Sequence, residues 1–315
     1  MKVITEDEAL ALATPARAYD AVRAALIAAA DGTGVINPVV FGPGIGPGDV
    51  FGVKSGSSRS GRVLGAKIGG YWPGNDAFGL DRHVSVVVLL DPDTGRAMAT
   101  IEAGAMNGRR TAAADAVAAD LLARPDARTL SLIGAGGQAR YDAEAVARIR
   151  PIERILIASR SQESAEKMAR ELASLAKVVE AVDVRTACEA ADILVTATTA
   201  KSPLFDASWI APGTHISAMG ADQVGKQELP PALLETSRLF ADWTKQSVEI
   251  GEFQHAGRGA GEGASRITAI GDVLRGYAPG RTSDGEITIF DSSGLALQDL
   301  YVAAAVLEAR LVADG

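Results

Sequence analysis

Thr129-Leu130-Ser131-Leu132-Ile133-Gly134-Ala135-Gly136-Gly137-Gln138-Ala139-Arg140 is the stretch on which the fold turns. Residues 129–133 read as a buried strand that runs straight into Gly134-x-Gly136-x-x-Ala139, and an Ala-rich helix is predicted over 137–150. Each small residue has a task in that setting. Gly134 permits the tight turn, Gly136 lets backbone approach an anion, and Ala139 lets the helix pack closely while its N-terminus faces the negative charge. Strand, glycine turn and helix in this order are the cradle for the pyrophosphate of a dinucleotide, whereas an isolated glycine motif is weak evidence.

The alternation continues downstream, with strands predicted at 154–158, 193–198, 214–219 and 239–243 and a helix at 162–175. That pattern is the signature of an α/β fold, a Rossmann doubly wound parallel sheet. A strand at 287–290 leads into a last helix at 295–312, which is expected to return to the first domain and make it discontinuous. Upstream, residues 6–31 read as one opening helix that stops at Asp31-Gly32. Short apolar runs at 39–41, 50–53, 63–68, 84–90 and 97–102 then form a β-rich half domain, followed by a helix at 110–123. The Gly/Ser-rich piece 55–61 and the Gly-rich piece 256–263 read as loops. The expected division is 1–112 with 292–315 as an α+β domain and 113–291 as the dinucleotide-binding domain.

At 315 residues the chain exceeds what one core usually organises, which suits two domains. A net charge of -8 disfavours nucleic acid or an anionic membrane surface as partner and favours a small molecule. The single Cys188 makes no internal disulfide, acidic residues stand where a secretory signal has its apolar run, and no apolar stretch is long enough to span a bilayer. A cytoplasmic protein is expected. At the end of the second Rossmann strand, Ser159-Arg160-Ser161 offers no carboxylate to repel a 2′-phosphate and Arg160 could pair with one, so the residues lean toward NADP or the use of both NAD and NADP.

Three further segments sharpen the reading: Arg110-Thr111-Ala112-Ala113, Met219-Gly220-Ala221-Asp222-Gln223-Val224-Gly225-Lys226-Gln227-Glu228-Leu229 and Asp291-Ser292-Ser293-Gly294-Leu295-Ala296-Leu297-Gln298-Asp299. Together with the glycine turn they resemble the ornithine cyclodeaminase/mu-crystallin family. The resemblance implies a homodimer whose first domain carries substrate and the dimer contact. It also implies cofactor contacts at Arg110, Thr111, Gly134, Gly136, Gly137, Gln138, Ser159, Arg160, Thr198, Thr199, Met219, Gly220, Lys226 and Ser292. Lys67, in Gly65-Ala66-Lys67-Ile68, stands where the family has its carboxylate-binding and acid-base lysine, and Asp222 where it has its catalytic aspartate. The family commonly places an arginine directly after a proline near position 39, but this chain reads Asn37-Pro38-Val39-Val40. The usual grip on the substrate carboxylate is missing there.

Hydride exchange at an amino-acid α-carbon passes through an imine, so a site must hold a carboxylate, move a proton at nitrogen and face the nicotinamide. Lys67 and Asp222 suit the first two tasks. Lys54-Ser55-Gly56-Ser57-Ser58-Arg59-Ser60-Gly61-Arg62 puts three cations and four hydroxyls in a short loop that could seat an anion, and Lys54 or Arg59 is the candidate to receive a second carboxylate, as in iminosuccinate. His83 is a candidate to stand beside Lys67, and Ser293 to bind substrate. His215, His255 and Cys188 form no metal-ligand spacing, so no metal is expected. The residues therefore suit an NAD(P)H-dependent reductase of an imino acid. A cyclodeaminase that recycles its NAD, and a noncatalytic NAD(P)- and ligand-binding protein like mu-crystallin, are the other readings.

Overall fold

A computed structural model describes residues 1–256 and 266–314. The Gly-rich piece expected to be a loop at 256–263 lies, from 257 on, outside the described residues. The chain divides into two compact units: Met1–Arg110 with the chain from Leu295 on, and Thr111–Gly294.

The first unit holds β1 (Lys2–Ile4), β2 (Gly34–Ile36), β3 (Val40–Pro43), β4 (Val50–Ser58), β5 (Val63–Tyr71), β6 (His83–Leu90) and β7 (Ala97–Glu102) in one sheet. Its order is β1-β7-β6-β5-β4-β2, with β3 also on β4. Only β1 runs parallel to its neighbour. Helices α1 (Glu6–Leu12) and α2 (Pro15–Ala30) precede this sheet. The opening segment is thus two helices, not one. Thr14 accepts a hydrogen bond from the Arg17 N–H at 3.3 Å and Pro15 takes the first helical position, a cap that separates α2 from α1. A second correction concerns 55–61, which is strand β4 as far as Ser58. Its small inward residues fit beneath the last helix of the chain, where the Ser58 and Tyr301 hydroxyls lie 2.6 Å apart. The Gly/Ser composition serves that close approach rather than a loop.

The second unit is an eight-stranded sheet, parallel throughout. It comprises β8 (Thr129–Ile133), β9 (Arg154–Ala158), β10 (Val178–Ala181), β11 (Ile193–Thr196), β12 (His215–Ala218), β13 (Arg238–Ala241), β14 (Ile267–Ala269) and β15 (Thr288–Asp291). The order β10-β9-β8-β11-β12-β15-β13-β14 reverses direction between β8 and β11, the switch point at which open α/β sheets bind ligands. The central strands β11, β12 and β15 are buried end to end, as expected of a parallel sheet covered on both faces.

The helices in chain order are α3 (Gly104–Leu122), in which the unit boundary falls, α4 (Gly137–Ile149), α5 (Gln162–Glu171), α6 (Val184–Ala190), α7 (Pro231–Thr236), α8 (Thr244–Ile250), α9 (Ile270–Leu274) and α10 (Ala296–Asp314). Helix α3 starts six residues before the expected position 110, which puts Asn107 and Arg110 one turn apart on the same helix face. Helix α10 belongs to the first unit, where it packs on α2 and on the β4-β5-β6 face. No described helix is long and apolar enough to cross a membrane.

Candidate functional site

In the first unit, β4 and β5 pair with Lys54 directly opposite Lys67. Residues opposite one another in an antiparallel pair point to the same face with Cα atoms about 5 Å apart. That face lies under α10, and the Lys67 side chain is only 15% exposed. Its ammonium donates to Asn107 Oδ1 and lies 3.2 Å from Asp299 Oδ1. The same Asp299 oxygen accepts from Arg110 Nε at 2.9 Å, while Arg110 also donates to Gln298 Oε1 at 3.1 Å and Asn107 Oδ1 at 2.8 Å.

Two cations, Lys67 and Arg110, therefore share one carboxylate oxygen. Burial lowers the Lys67 pKa to about 8, against the opposing pull of Asp299 and with the help of Arg110 and Lys54. Burial alone would raise the Asp299 carboxyl, but Arg110, Lys67 and Lys54 hold it below its ordinary value. The second Asp299 oxygen, Oδ2, and Gln298 Nε2 are buried with no hydrogen-bond partner among the described residues.

The other candidates of this unit lie elsewhere. His83 pairs with Tyr71, whereas the β6 residue opposite Lys67 is Val87. His83 is thus four positions along the strand, on the order of 13 Å away, and is not beside Lys67. It is exposed, its ring 4.9 Å from that of Tyr71. Arg59 follows the end of β4, where its backbone N–H donates to the Thr33 carbonyl and its side chain is exposed. Of the two basic candidates, Lys54 alone shares the Lys67 position in the sheet. Val40, the first residue of β3, pairs with Val53; Val39, where the family arginine is missing, immediately precedes β3, and Lys54 follows Val53 on β4.

In the second unit the expected cofactor residues fall at one edge of the sheet. Gly134 follows β8, Ser159 and Arg160 follow β9, Thr198 and Thr199 follow β11, Met219 and Gly220 follow β12, and Ser292 follows β15. All are at carboxyl ends of parallel strands, although they are spread over 159 residues of sequence, from 134 to 292. Gly134 has φ +123° and a Cβ there would lie 2.5 Å from the Ala197 carbonyl oxygen. By contrast, Cβ atoms at Gly136 and Gly137 would meet nothing within 4 Å. Helix α4 has no side-chain cap and no acidic residue in its first turn, so its N–H groups face that open space. These features fit a dinucleotide pyrophosphate. A cavity of about 240 Å³ adjoins the turn, lined by Gly136, Gly137, Arg140, Ser164 and Lys167 among others.

Gln138, in the first turn of α4, donates to Asp142 Oδ1 at 2.7 Å. Thr111 is half-buried on α3. Asp222 sits in the loop after β12 with its side chain 50% exposed, 2.6 Å from Lys226 Nζ, which also donates to the Gly220 carbonyl at 3.2 Å. The Ser293 hydroxyl is buried 3.0 Å from Asp242 Oδ1 and accepts from Gln246 Nε2 at 3.1 Å. Ser292 is buried too, 3.4 Å from the other Asp242 oxygen, which accepts the Gly294 N–H at 2.7 Å.

Asn107, Asp242 and Asp299 were not legible as site residues. Asp299 lies inside a quoted motif without a role, Asn107 is recognisable only by its one-turn spacing from Arg110, and Asp242 carries no sequence signal at all. His215 is a core residue between Thr288 and Ser217, its pKa lowered to about 3 by burial.

Known proteins resemble the chain over its length. The ornithine cyclodeaminase/mu-crystallin family model matches residues 8–313. An iminosuccinate reductase of Paracoccus denitrificans is 40% identical over 309 residues, 98% of this chain and 96% of that protein. The crystal structure of the iminosuccinate reductase of P. denitrificans in complex with NAD+ has a TM-score of 0.94 at 38% identity, covering 100% of this chain and 97% of that one. An archaeal alanine dehydrogenase dimer with bound NAD has a TM-score of 0.92 at 31% identity, covering 100% and 97%. With a whole-length match to its model and a relative of this identity, the chain belongs to the ornithine cyclodeaminase/mu-crystallin family.

Proposed function

We propose that the protein is an NAD(P)H-dependent imine reductase acting on an imino dicarboxylate, converting iminosuccinate to aspartate as a homodimer. The observation that carries the substrate is the Lys54–Lys67 pair, set opposite each other on the sheet, with Arg110 of α3 tied to Lys67 through Asn107 and Asp299. A dicarboxylate needs two cationic grips, and a monocarboxylic imine needs one.

When bound, the dinucleotide supplies the hydride that adds to the imine carbon. Lys67 and Arg110 hold the carboxylate next to that carbon, and Asn107 and Asp299 fix both cations by accepting their N–H groups. Lys54 takes the second carboxylate, in place of the arginine missing after Pro38. Asp222, which Lys226 orients through their ion pair, is the acid–base group for the imine nitrogen. Gly136, Gly137 and the N-terminus of α4 take the pyrophosphate. Ser159 and Arg160, just after β9, would face the 2′ position of the adenosine ribose, where they would accept a hydroxyl or a phosphate.

The test follows NADH and NADPH absorbance with oxaloacetate plus ammonia, with pyruvate plus ammonia and with a cyclic imine. Oxidation with oxaloacetate plus ammonia is expected. Oxidation only with pyruvate or the cyclic imine removes the dicarboxylate assignment, and ammonia release from ornithine without net cofactor change replaces the reductase by a cyclodeaminase. Within the proposal, Lys54→Met raises KM for iminosuccinate by about tenfold or more and changes that for the pyruvate imine far less. Equal effects on both substrates refute the role of Lys54.

A further inference from the structure

Glu228 stands in the loop between β12 and α7 and is fully buried. Its two carboxylate oxygens accept four hydrogen bonds from uncharged donors. Oε1 takes the Thr198 N–H and the Thr198 hydroxyl, both at 2.7 Å, and Oε2 takes the Thr196 hydroxyl at 2.8 Å and the Gly220 N–H at 2.9 Å. One oxygen thus ties down the loop after β11 and the other the loop after β12. The packing there is too close for a side chain: a Cβ on Gly220 would lie 2.5 Å from Glu228 Oε1 and would also collide with the Thr198 carbonyl oxygen. Glu228 is itself anchored. The carboxylate of Glu252, also fully buried, accepts the Glu228 N–H at 3.0 Å and the Leu229 N–H at 2.7 Å.

Thr198 and Gly220 stand just beyond the carboxyl ends of β11 and β12, which are adjacent in the half of the sheet past the switch point. In a doubly wound sheet the half with the glycine turn takes one nucleotide and the other half takes the second. We infer that Glu228 is a positioning residue for the nicotinamide half of the dinucleotide, a role that rests on the cofactor reading above. Being buried, it acts through its neighbours. It holds Thr198-Thr199 and Met219-Gly220 at one fixed spacing, so that both loops meet the cofactor without first being ordered.

The variant Glu228→Gln keeps the shape but replaces one oxygen by NH2, which then faces the Thr198 N–H or the Gly220 N–H, donor against donor. NADH binding by the purified protein is expected to weaken by roughly tenfold to a hundredfold. Binding of ADP, which lacks the nicotinamide nucleotide and meets only the glycine-turn half, is expected to stay within about twofold. Thr196→Val, which removes one donor from the same carboxylate, gives a smaller loss of the same kind. A loss of NADH and ADP affinity in equal measure, or no loss of either in both variants, overturns the inference and leaves the cofactor reading standing. Wild-type protein that binds neither NADH nor ADP removes that reading and the inference with it.

Discussion

At the scale of single residues, the cluster around Asp299 governs how activity depends on pH. Lys67 grips a carboxylate only while protonated, and burial has brought its pKa to about 8, so kcat/KM for the imine falls as pH rises through about 8. Stability responds with the opposite sign. From about pH 8 to the ordinary value of 10.5 the unfolded chain keeps a proton that the folded chain has lost, so this group favours folding increasingly as pH rises across that window. An alkaline fall in activity is thus not caused by unfolding at Lys67, and a melting curve at each pH separates the two. Asp299→Asn removes the only charge opposing Lys67 and Arg110 within the cluster. The alkaline limb of the kcat/KM profile should move to lower pH, and stability should fall by about 3–5 kcal/mol because two buried cations lose their counter-charge. A limb that stays in place would mean Asp299 does not set the Lys67 proton affinity. Lys67 was legible in the sequence through its motif, but Asp299 and Asn107 were not, because their role arises only when α10 and α3 meet β5.

At the scale of elements, the glycine turn separates what the fold needs from what a ligand needs. Gly134 adopts φ +123° and abuts the Ala197 carbonyl, so Gly134→Ala should cost about 1–3 kcal/mol in strain and lower Tm accordingly. Gly136 has φ -93° and open space where a Cβ would go. Gly136→Ala should therefore leave Tm nearly unchanged while weakening NADH binding, checked by thermal melts and by titration. Equal binding by wild type and Gly136→Ala would show that the open space is not where the pyrophosphate sits. This turn, with β8, β9 and α4, was legible almost to the residue, because a parallel sheet demands apolar strands and the turn demands glycine. Strand β4 was not. Its inward side is Gly52, Lys54, Gly56 and Ser58, so the packing of α10 replaced the alternation by which strands are recognised. The break between α1 and α2 was missed as well, because the alanines on either side of Thr14-Pro15 continue the helical pattern.

At the scale of the molecule, the sheet of the first unit has a surface that its own helices leave uncovered. Val87, Leu89, Ala99 and Ile101 are buried on the side where α10 packs. The alternate positions are also apolar: Val84, Val86, Val88 and Leu90 on β6, Ile68 and Leu64 on β5, and Phe51 and Val53 on β4. Val40, Phe51 and Val84 are 63%, 40% and 39% exposed. A strand such as Val84-Ser85-Val86-Val87-Val88-Leu89-Leu90 is apolar on both faces, which suits a strand covered on both. A contiguous apolar face of this kind marks a contact surface, and a second copy of the chain is the occupant that makes it self-complementary. Light scattering coupled to gel filtration should give twice the mass of one chain for the wild type. Introducing charge with Val40→Glu and Val84→Glu together should reduce it to one, since charged groups are not buried without partners. The second unit, with its own core and its glycine turn, should then still bind NADH. A wild type that runs as a single chain, or a double variant that remains a dimer, would place the contact elsewhere or remove it.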